Sequence, residues 1–407
     1  FDIKLDKIFC DMTNFFTYIA STNERCKIAQ RGHNKQKRKD LRQFGLSLLA
    51  SKDGPFPLFH DLYQGNLNDK TVFKERFQVF LQRLKILSGS LKKLTLVFDQ
   101  GCNSKPMLEE VSRKIHFVGA LSCSHHKKLI TEANLNLKEE KIGKRKLNLF
   151  RAKKEIWGKV FSVVVYVSPK LRAGQIRGLE KNLQKIEMEF DSLQEVLLTP
   201  VKRGKQRTQE GIEKKITSIM KRHKIPKGII RWNLNEGSPG CFYFKYWISS
   251  SKLRDFKKNH CGRRILITNR HNWGNEEIIK TYWGKSNAEQ IFKTIKNPFF
   301  LALRPQFHWT DQKIRVHAFI CVLACLLATG ALKEAEKFGY KVSLIELMEN
   351  LSSIRLATLM EKQEKGKKGR FKLVYRLEEM ESQLQKLANT FSISENTINS
   401  NIPLSVY

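Results

Sequence analysis

The side chains in this sequence best suited to phosphoester chemistry are two widely separated aspartates, Asp11 and Asp99, and a cluster far downstream, Tyr282-x2-Lys285-x3-Glu289-x6-Lys296. On a helix turning about 100° per residue, the four clustered residues fall within an arc of roughly 60°. One face then presents a carboxylate flanked by two ammonium groups and a phenol, while Ala288, Ile291 and Ile295 take the opposite side. The same spacing also fits an ordinary solvated face with Glu289 paired to Lys285 or Lys293. Asp99 closes the apolar run Leu94–Phe98 and precedes Gln100-Gly101. An Asp at the carboxyl end of a buried strand stands where α/β sheets place ligands, although Asp favours turns for its own reasons. Asp11 lies within the apolar, aromatic segment Ile8–Phe16. Three carboxylates in one cleft would suit two Mg²⁺ (or Mn²⁺) ions about 3.5–4 Å apart, one activating the attacking oxygen and one stabilising the leaving oxygen. Lys285 and Lys296 would then hold phosphates, with a further hydrogen bond from Tyr282.

Positioning those groups requires a particular order of elements. Strands are expected at 8–16, 41–50 and 55–63, with a turn at Ser51–Gly54 and a polar, basic excursion at 17–40. A helix at 71–87, a doubly buried strand at 91–99, a short helix at 106–114 and a strand at 115–121 follow. Residues 122–261 change texture. They read as a Lys-rich helical stretch (135–155), a strand (160–167), a long charged helix (172–198), a basic helix (211–224) and strand pieces at 228–233 and 241–248. Arg264–Thr268 reads as a strand able to rejoin the first sheet, Glu276–Lys296 as one strong helix, and His317–Leu332 as a buried helix. The expected fold class is therefore α/β, a ribonuclease-H-like mixed sheet flanked by helices, with an inserted α+β domain between Asp99 and Glu289. The expected divisions are 1–121 (first part of the core), 122–261 (inserted domain), 262–333 (second part of the core) and 334–407 (a helical, charged tail with a basic loop at 362–370).

Composition narrows the partner. Of 407 residues, 75 are Lys or Arg against 39 Asp or Glu, a net charge of +36 spread along the chain. Such an excess points to a polyanion, nucleic acid before anionic membrane. A hydrophobic fraction of 41% excludes a disordered chain. The eight Cys are scattered without a CxxC pair, and Cys123 with His125 and His126 has no second cluster to complete a zinc site. Reduced thiols in a cytosolic protein are expected. The longest apolar run, Ala318–Ala328, is short for a bilayer span, so a buried helix and no membrane are expected. The chain opens at Phe1, which reads as a truncated or processed start.

With these residues in view, the chain resembles a family. The Tyr282-Lys285-Glu289-Lys296 spacing resembles the Y-x2-R-x3-E-x6-K signature of bacterial insertion-sequence transposases of the insertion-sequence-four type. Asp11-Met-Thr-Asn-Phe15 is similar to that family's first-Asp strand, and Val97-Phe-Asp99-Gln-Gly101-Cys-Asn103-Ser104 to its second-Asp turn. Arg31-Gly-His-Asn34 with Lys37-Arg38 and Asp40-Leu41, Gly65-Asn66 with Asp69-Lys-Thr71, and Leu303-Arg-Pro305 with His308-Trp309-Thr-Asp311 and His317 resemble further segments of one branch, in family order from residue 11 to about 330. The resemblance implies a DDE transposase with catalytic, metal-holding Asp11, Asp99 and Glu289, and DNA contacts from Tyr282, Lys285 and Lys296. It further implies Mg²⁺-dependent cleavage of double-stranded DNA at transposon ends, strand transfer into target DNA, a homodimer bridging two ends, and a bacterial, nucleoid-associated location. Trp273, shortly before the Glu helix, is a candidate for stacking on a flipped base, with a core or hinge role as the competing reading. Lys285 departs from the signature Arg: it keeps the charge and loses the planar fork. The alternatives are a decayed remnant that binds DNA without cutting, and a ribonuclease-H-like nuclease without strand transfer.

Overall fold

The protein, seen in a computed structural model, is described at residues 3–34, 36, 38–201, 206–237, 240–362 and 371–394. Lys37 of the basic excursion and residues 363–370 of the basic loop lie outside these. The chain forms two compact units, one from residues 1–102 and 283–407 and the other from 103–282. These boundaries differ from the sequence divisions at 121 and 262.

The first unit begins with three strands, β1 (Lys7–Thr17), β2 (Arg42–Ser51) and β3 (Pro57–Gln64), then α1 (Asp69–Ser88) and β4 (Thr95–Phe98). β1 pairs antiparallel with β2, and β2 with β3, while β4 runs parallel to β1 on its other side. Nine of the ten β2 residues are buried, as are all four of β4, which is why these segments read as continuous apolar runs. Asn68 caps α1 by accepting from the Thr71 N–H. This mixed sheet with its helices is compatible with a ribonuclease-H-like fold.

The excursion between β1 and β2 is tied down by motif residues that act through backbone packing and hydrogen bonds. A Cβ on Gly32 would stand 2.2 Å from the Gly65 carbonyl oxygen, and one on Gly65 1.8 Å from the Gln43 carbonyl oxygen. Only glycine allows these backbones to meet. Gln43, fully buried, donates from Nε2 to the Gly65 carbonyl at 2.7 Å. The Asp311 carboxylate accepts the Ile28 N–H at 2.9 Å. Gly65→Ala is therefore expected to destabilise the protein by at least about 2 kcal/mol through overpacking against backbone, measured as a lowered urea midpoint.

The second unit contains α2 (Lys105–Lys114), β5 (His116–Leu121), α3 (Lys127–Leu135), β6 (Lys138–Ile142), β7 (Arg145–Ile156), β8 (Lys159–Val167), α4 (Pro169–Leu198), α5 (Gln209–Arg222), β9 (Ile230–Glu236), β10 (Phe242–Ile248), α6 (Ser250–Asn259), β11 (Arg263–Thr268) and most of α7 (Asn275–Trp283). β11 lies between β5 and β8, and β7 and β6 extend the sheet, all antiparallel. The expected helix at 135–155 is thus a hairpin. Gly143, at φ 60°, supplies its turn. Leu147 and Leu149 are buried between exposed Lys146 and Asn148, the period of two that the lysine content obscured. The elements α4, α5, β9 and β10 share a separate core around Phe190, Ile216 and Phe244.

The first unit resumes with α8 (Ser286–Lys296), α9 (Asp311–Lys337), α10 (Leu344–Ser352), β12 (Leu356–Lys362), β13 (Phe371–Leu377) and α11 (Ser382–Thr390). The tail is not wholly helical, since β12 and β13 form an antiparallel pair. α9 outruns the apolar stretch read from sequence. By length and composition it is able to cross a membrane, and 44% of its most apolar window is buried here. It packs on β3, α8 and α10.

Candidate active site

A cleft of about 1090 Å³ in the first unit is lined by Asp11, Asp99 and Glu289, together with Asp69, Lys285, Lys293, Lys296 and Arg304. Asp11 comes from the middle of β1. Asp99 follows the last residue of β4, where the parallel strand ends and the chain turns into a single 3-10 turn, Gln100–Cys102. The Asp99 carboxylate accepts the Gln100 N–H at 2.8 Å, which fixes its direction. Glu289 stands exposed in the first turn of α8, while Ala288, Ile291 and Ile295 of the same helix are buried. One face of α8 is therefore core and the other cleft, as the spacing implied.

The helix expected across 276–296 is two helices, broken at Gly284-Lys285. Glycine is the weakest ordinary helix former, and a Cβ on Gly284 would meet the Phe9 ring at 2.4 Å. The break changes the neighbours of two signature residues. Lys285, only 8% exposed, points its ammonium between two aspartates, 3.0 Å from Asp99 Oδ2 and 3.5 Å from Asp11 Oδ1. Tyr282 belongs to the second unit, where it is buried and its hydroxyl accepts from Arg264 Nη1 at 3.0 Å. Losing that acceptor in Tyr282→Phe is expected to cost about 1 kcal/mol of stability, read by thermal unfolding. Trp273, also in the second unit, lies under the Arg270 guanidinium at 5.1 Å, and its carbonyl accepts from Arg151 at 2.7 Å. Lys296 donates to the Thr13 hydroxyl and lies over the Phe15 ring at 5.0 Å, so a lysine one strand step beyond Asp11 is anchored on the cleft wall.

The electrostatics are those of crowded carboxylates. Burial pushes the Asp11 carboxyl above its ordinary range, and the charges of Asp99 and Glu289 push the same way, against Lys285 and the Met12 N–H. Burial by itself would lower Lys285. The charges of Asp11 and Asp99, the hydrogen bond to Asp99 and the charge of Glu289 outweigh it and hold the ammonium above its usual value. The donor set is chemically right for a hard divalent cation. As folded, however, the ammonium occupies the space between two of the three carboxylates, and among the described residues no three His, Cys, Asp or Glu side chains gather closely enough to hold a metal ion.

Sequence reasoning gave no site role to Asp69, Lys293 and Arg304, all of which line the cleft. Asp69 opens α1 directly after its cap, and its carboxylate would be 3.2 Å from a Cβ on Gly101. The sequence offered only a weak signal, an acidic residue in the first turn of a helix; its place beside the end of β4 is a tertiary fact.

No family model matches this chain, and no curated protein matches it. Among solved structures it is similar to a piggyBac transposase in a synaptic complex with hairpin DNA, at 10% identity and a TM-score of 0.41, over 85% of this chain and 51% of that one. The chain thus spans about half the length of the transposase chain it matches.

Proposed function

We propose that this chain is the catalytic body of a DDE-type DNA transposase, with a ribonuclease-H-like core into which residues of the second unit are inserted. The observation that carries the reading is that Asp11 from a strand, Asp99 from the turn after a second strand and Glu289 from a helix line one cleft, walled by Lys285, Lys293, Lys296 and Arg304. Asp11, Asp99 and Glu289 would hold two Mg²⁺ or Mn²⁺ ions. When bound, such ions supply Lewis-acid activation of the attacking oxygen and stabilisation of the leaving oxygen in phosphodiester cleavage. Lys293, Lys296 and Arg304 bind and orient the DNA phosphates, Arg304 as a planar fork and the lysines as point charges. The net charge of +36 serves the same substrate by releasing counterions from DNA. The substrate is double-stranded DNA at transposon ends, the product a 3′-OH that attacks target DNA, the working assembly a homodimer, and the location the bacterial nucleoid.

A second reading, a DNA-binding chain that no longer cuts, is favoured by one observation: the Lys285 ammonium is ion-paired with both Asp11 and Asp99. Incubating the purified chain with labelled duplexes carrying the DNA that flanks its own coding region, with and without Mg²⁺, separates the two. Metal-dependent nicks at fixed positions support the transposase. Retention of the duplex without nicks supports the second reading.

A further inference from the structure

The hairpin of β9 and β10 turns one face into the core of the second unit and the other to solvent. Phe242 and Phe244 are buried. The Phe190 ring stands 5.1 Å from both Phe244 and Tyr246, and the Tyr246 hydroxyl donates to Asp191 at 2.6 Å. This inner face fixes the ribbon rigidly. Alternation along a strand then places the intervening residues outward. In register, Arg231 stands opposite Trp247, Asn233 opposite Lys245, and Asn235 opposite Tyr243.

That outer face is unusual in composition. Tyr243 is 54% exposed and Trp247 50%, two large aromatics on one strand with a lysine between them. Among the described residues neither Arg231 nor Lys245 forms an ion pair, in a chain whose 39 carboxylates are outnumbered by its cations. Tyr243 lies against Gly237, where a Cβ would come within 2.4 Å of the ring, so the ring is supported from beneath. Exposed aromatic rings offer π-faces. Bases stacked in a duplex offer only edges to a protein, whereas unpaired bases offer faces. Rings that alternate with cations along a fixed strand give a stacking platform with backbone charge contacts, the arrangement that binds single strands with little sequence preference.

We infer that the outer face of this hairpin binds single-stranded DNA, with Tyr243 and Trp247 stacking on bases and Arg231 and Lys245 on phosphates. The inference stands on this ribbon alone and does not depend on the chemistry of the cleft.

The test is fluorescence anisotropy of the full chain with labelled oligo(dT) and, separately, with a mixed-sequence duplex of equal length. Tyr243→Ala and Trp247→Ala are each expected to weaken oligo(dT) binding about tenfold and to leave duplex binding within about twofold, with Trp247→Phe retaining most of the affinity. Lys245→Glu, which leaves the rings in place, is expected to lower the salt slope on oligo(dT) by about 0.7 or more. Wild-type oligo(dT) affinity in the Tyr243→Ala, Trp247→Ala double variant would overturn the inference. So would equal losses on oligo(dT) and duplex, which would make the face a general phosphate contact.

Discussion

Replacing Asp99 by Asn is expected to reduce Mg²⁺-dependent cleavage of end DNA by on the order of a thousandfold or more while duplex affinity stays near the wild-type value. The side chain keeps its shape and loses its charge. The Asp99 side chain is 42% exposed and follows a strand whose four residues are all buried, so Asn is accommodated without disturbing the core, at the cost of the ion pair with Lys285. Stabilising the charge that develops on the reacting oxygens is worth several kcal/mol, and each 1.4 kcal/mol is about tenfold in rate. Asp11→Asn and Glu289→Gln should fall in the same range because all three line one cleft. Gel-resolved cleavage under single-turnover conditions, paired with a binding measurement, reads both halves. Cleavage within tenfold of wild type by any of the three would remove that residue from the mechanism.

Lys285→Met should have opposite effects with and without metal. In metal-free buffer it leaves Asp11 and Asp99 facing one another without the cation that lies 3.5 and 3.0 Å from them. Breaking a buried pair costs about 3–5 kcal/mol, and the lower end applies because Asp99 is partly exposed. Mn²⁺ affinity should rise by at least about tenfold. A unit charge 4 Å away at an effective dielectric of 20 is worth about 4 kcal/mol, of which a lysine able to swing aside on its flexible stem forfeits only part. The variant should therefore melt lower than wild type without metal and recover on adding Mn²⁺. Lys285→Arg keeps the charge and should show neither change. Mn²⁺ affinity in Lys285→Met equal to or below that of wild type, measured by calorimetry, would show that the ammonium does not compete for this position.

Much of the candidate site's placement was legible because it depends on local rules. Asp99 could be placed from the apolar run before it and the turn after it, and Glu289 from the side opposite Ala288, Ile291 and Ile295. What local pattern could not supply was the tertiary reason for a break. Gly284 reads as a tolerable helix residue until the Phe9 ring is seen against it, and with the break Tyr282 turns to Arg264 while Lys285 turns to the aspartates. The hairpin at 138–156 was hidden by lysines, whose long stems suit helix and strand alike, and its signal lay in Gly143 and the alternation around Leu147. Gly32, Gly65 and Asp311 stand out in the sequence only for their resemblance, and the fold gives them a physical role: the two glycines let the excursion before β2 pack close to Gln43, and Asp311 holds it at the Ile28 N–H. Asp69 was passed over because an acidic first turn is so common that it carries little information on its own.

The most direct measurement is an anomalous difference map from crystals of the full chain grown with Mn²⁺. Density is expected in the cleft within bonding distance of Asp11 and Asp99, with the Lys285 ammonium moved away from both. A cleft without anomalous density, Lys285 still clasped between the two aspartates, and Mn²⁺ bound elsewhere or nowhere would contradict it.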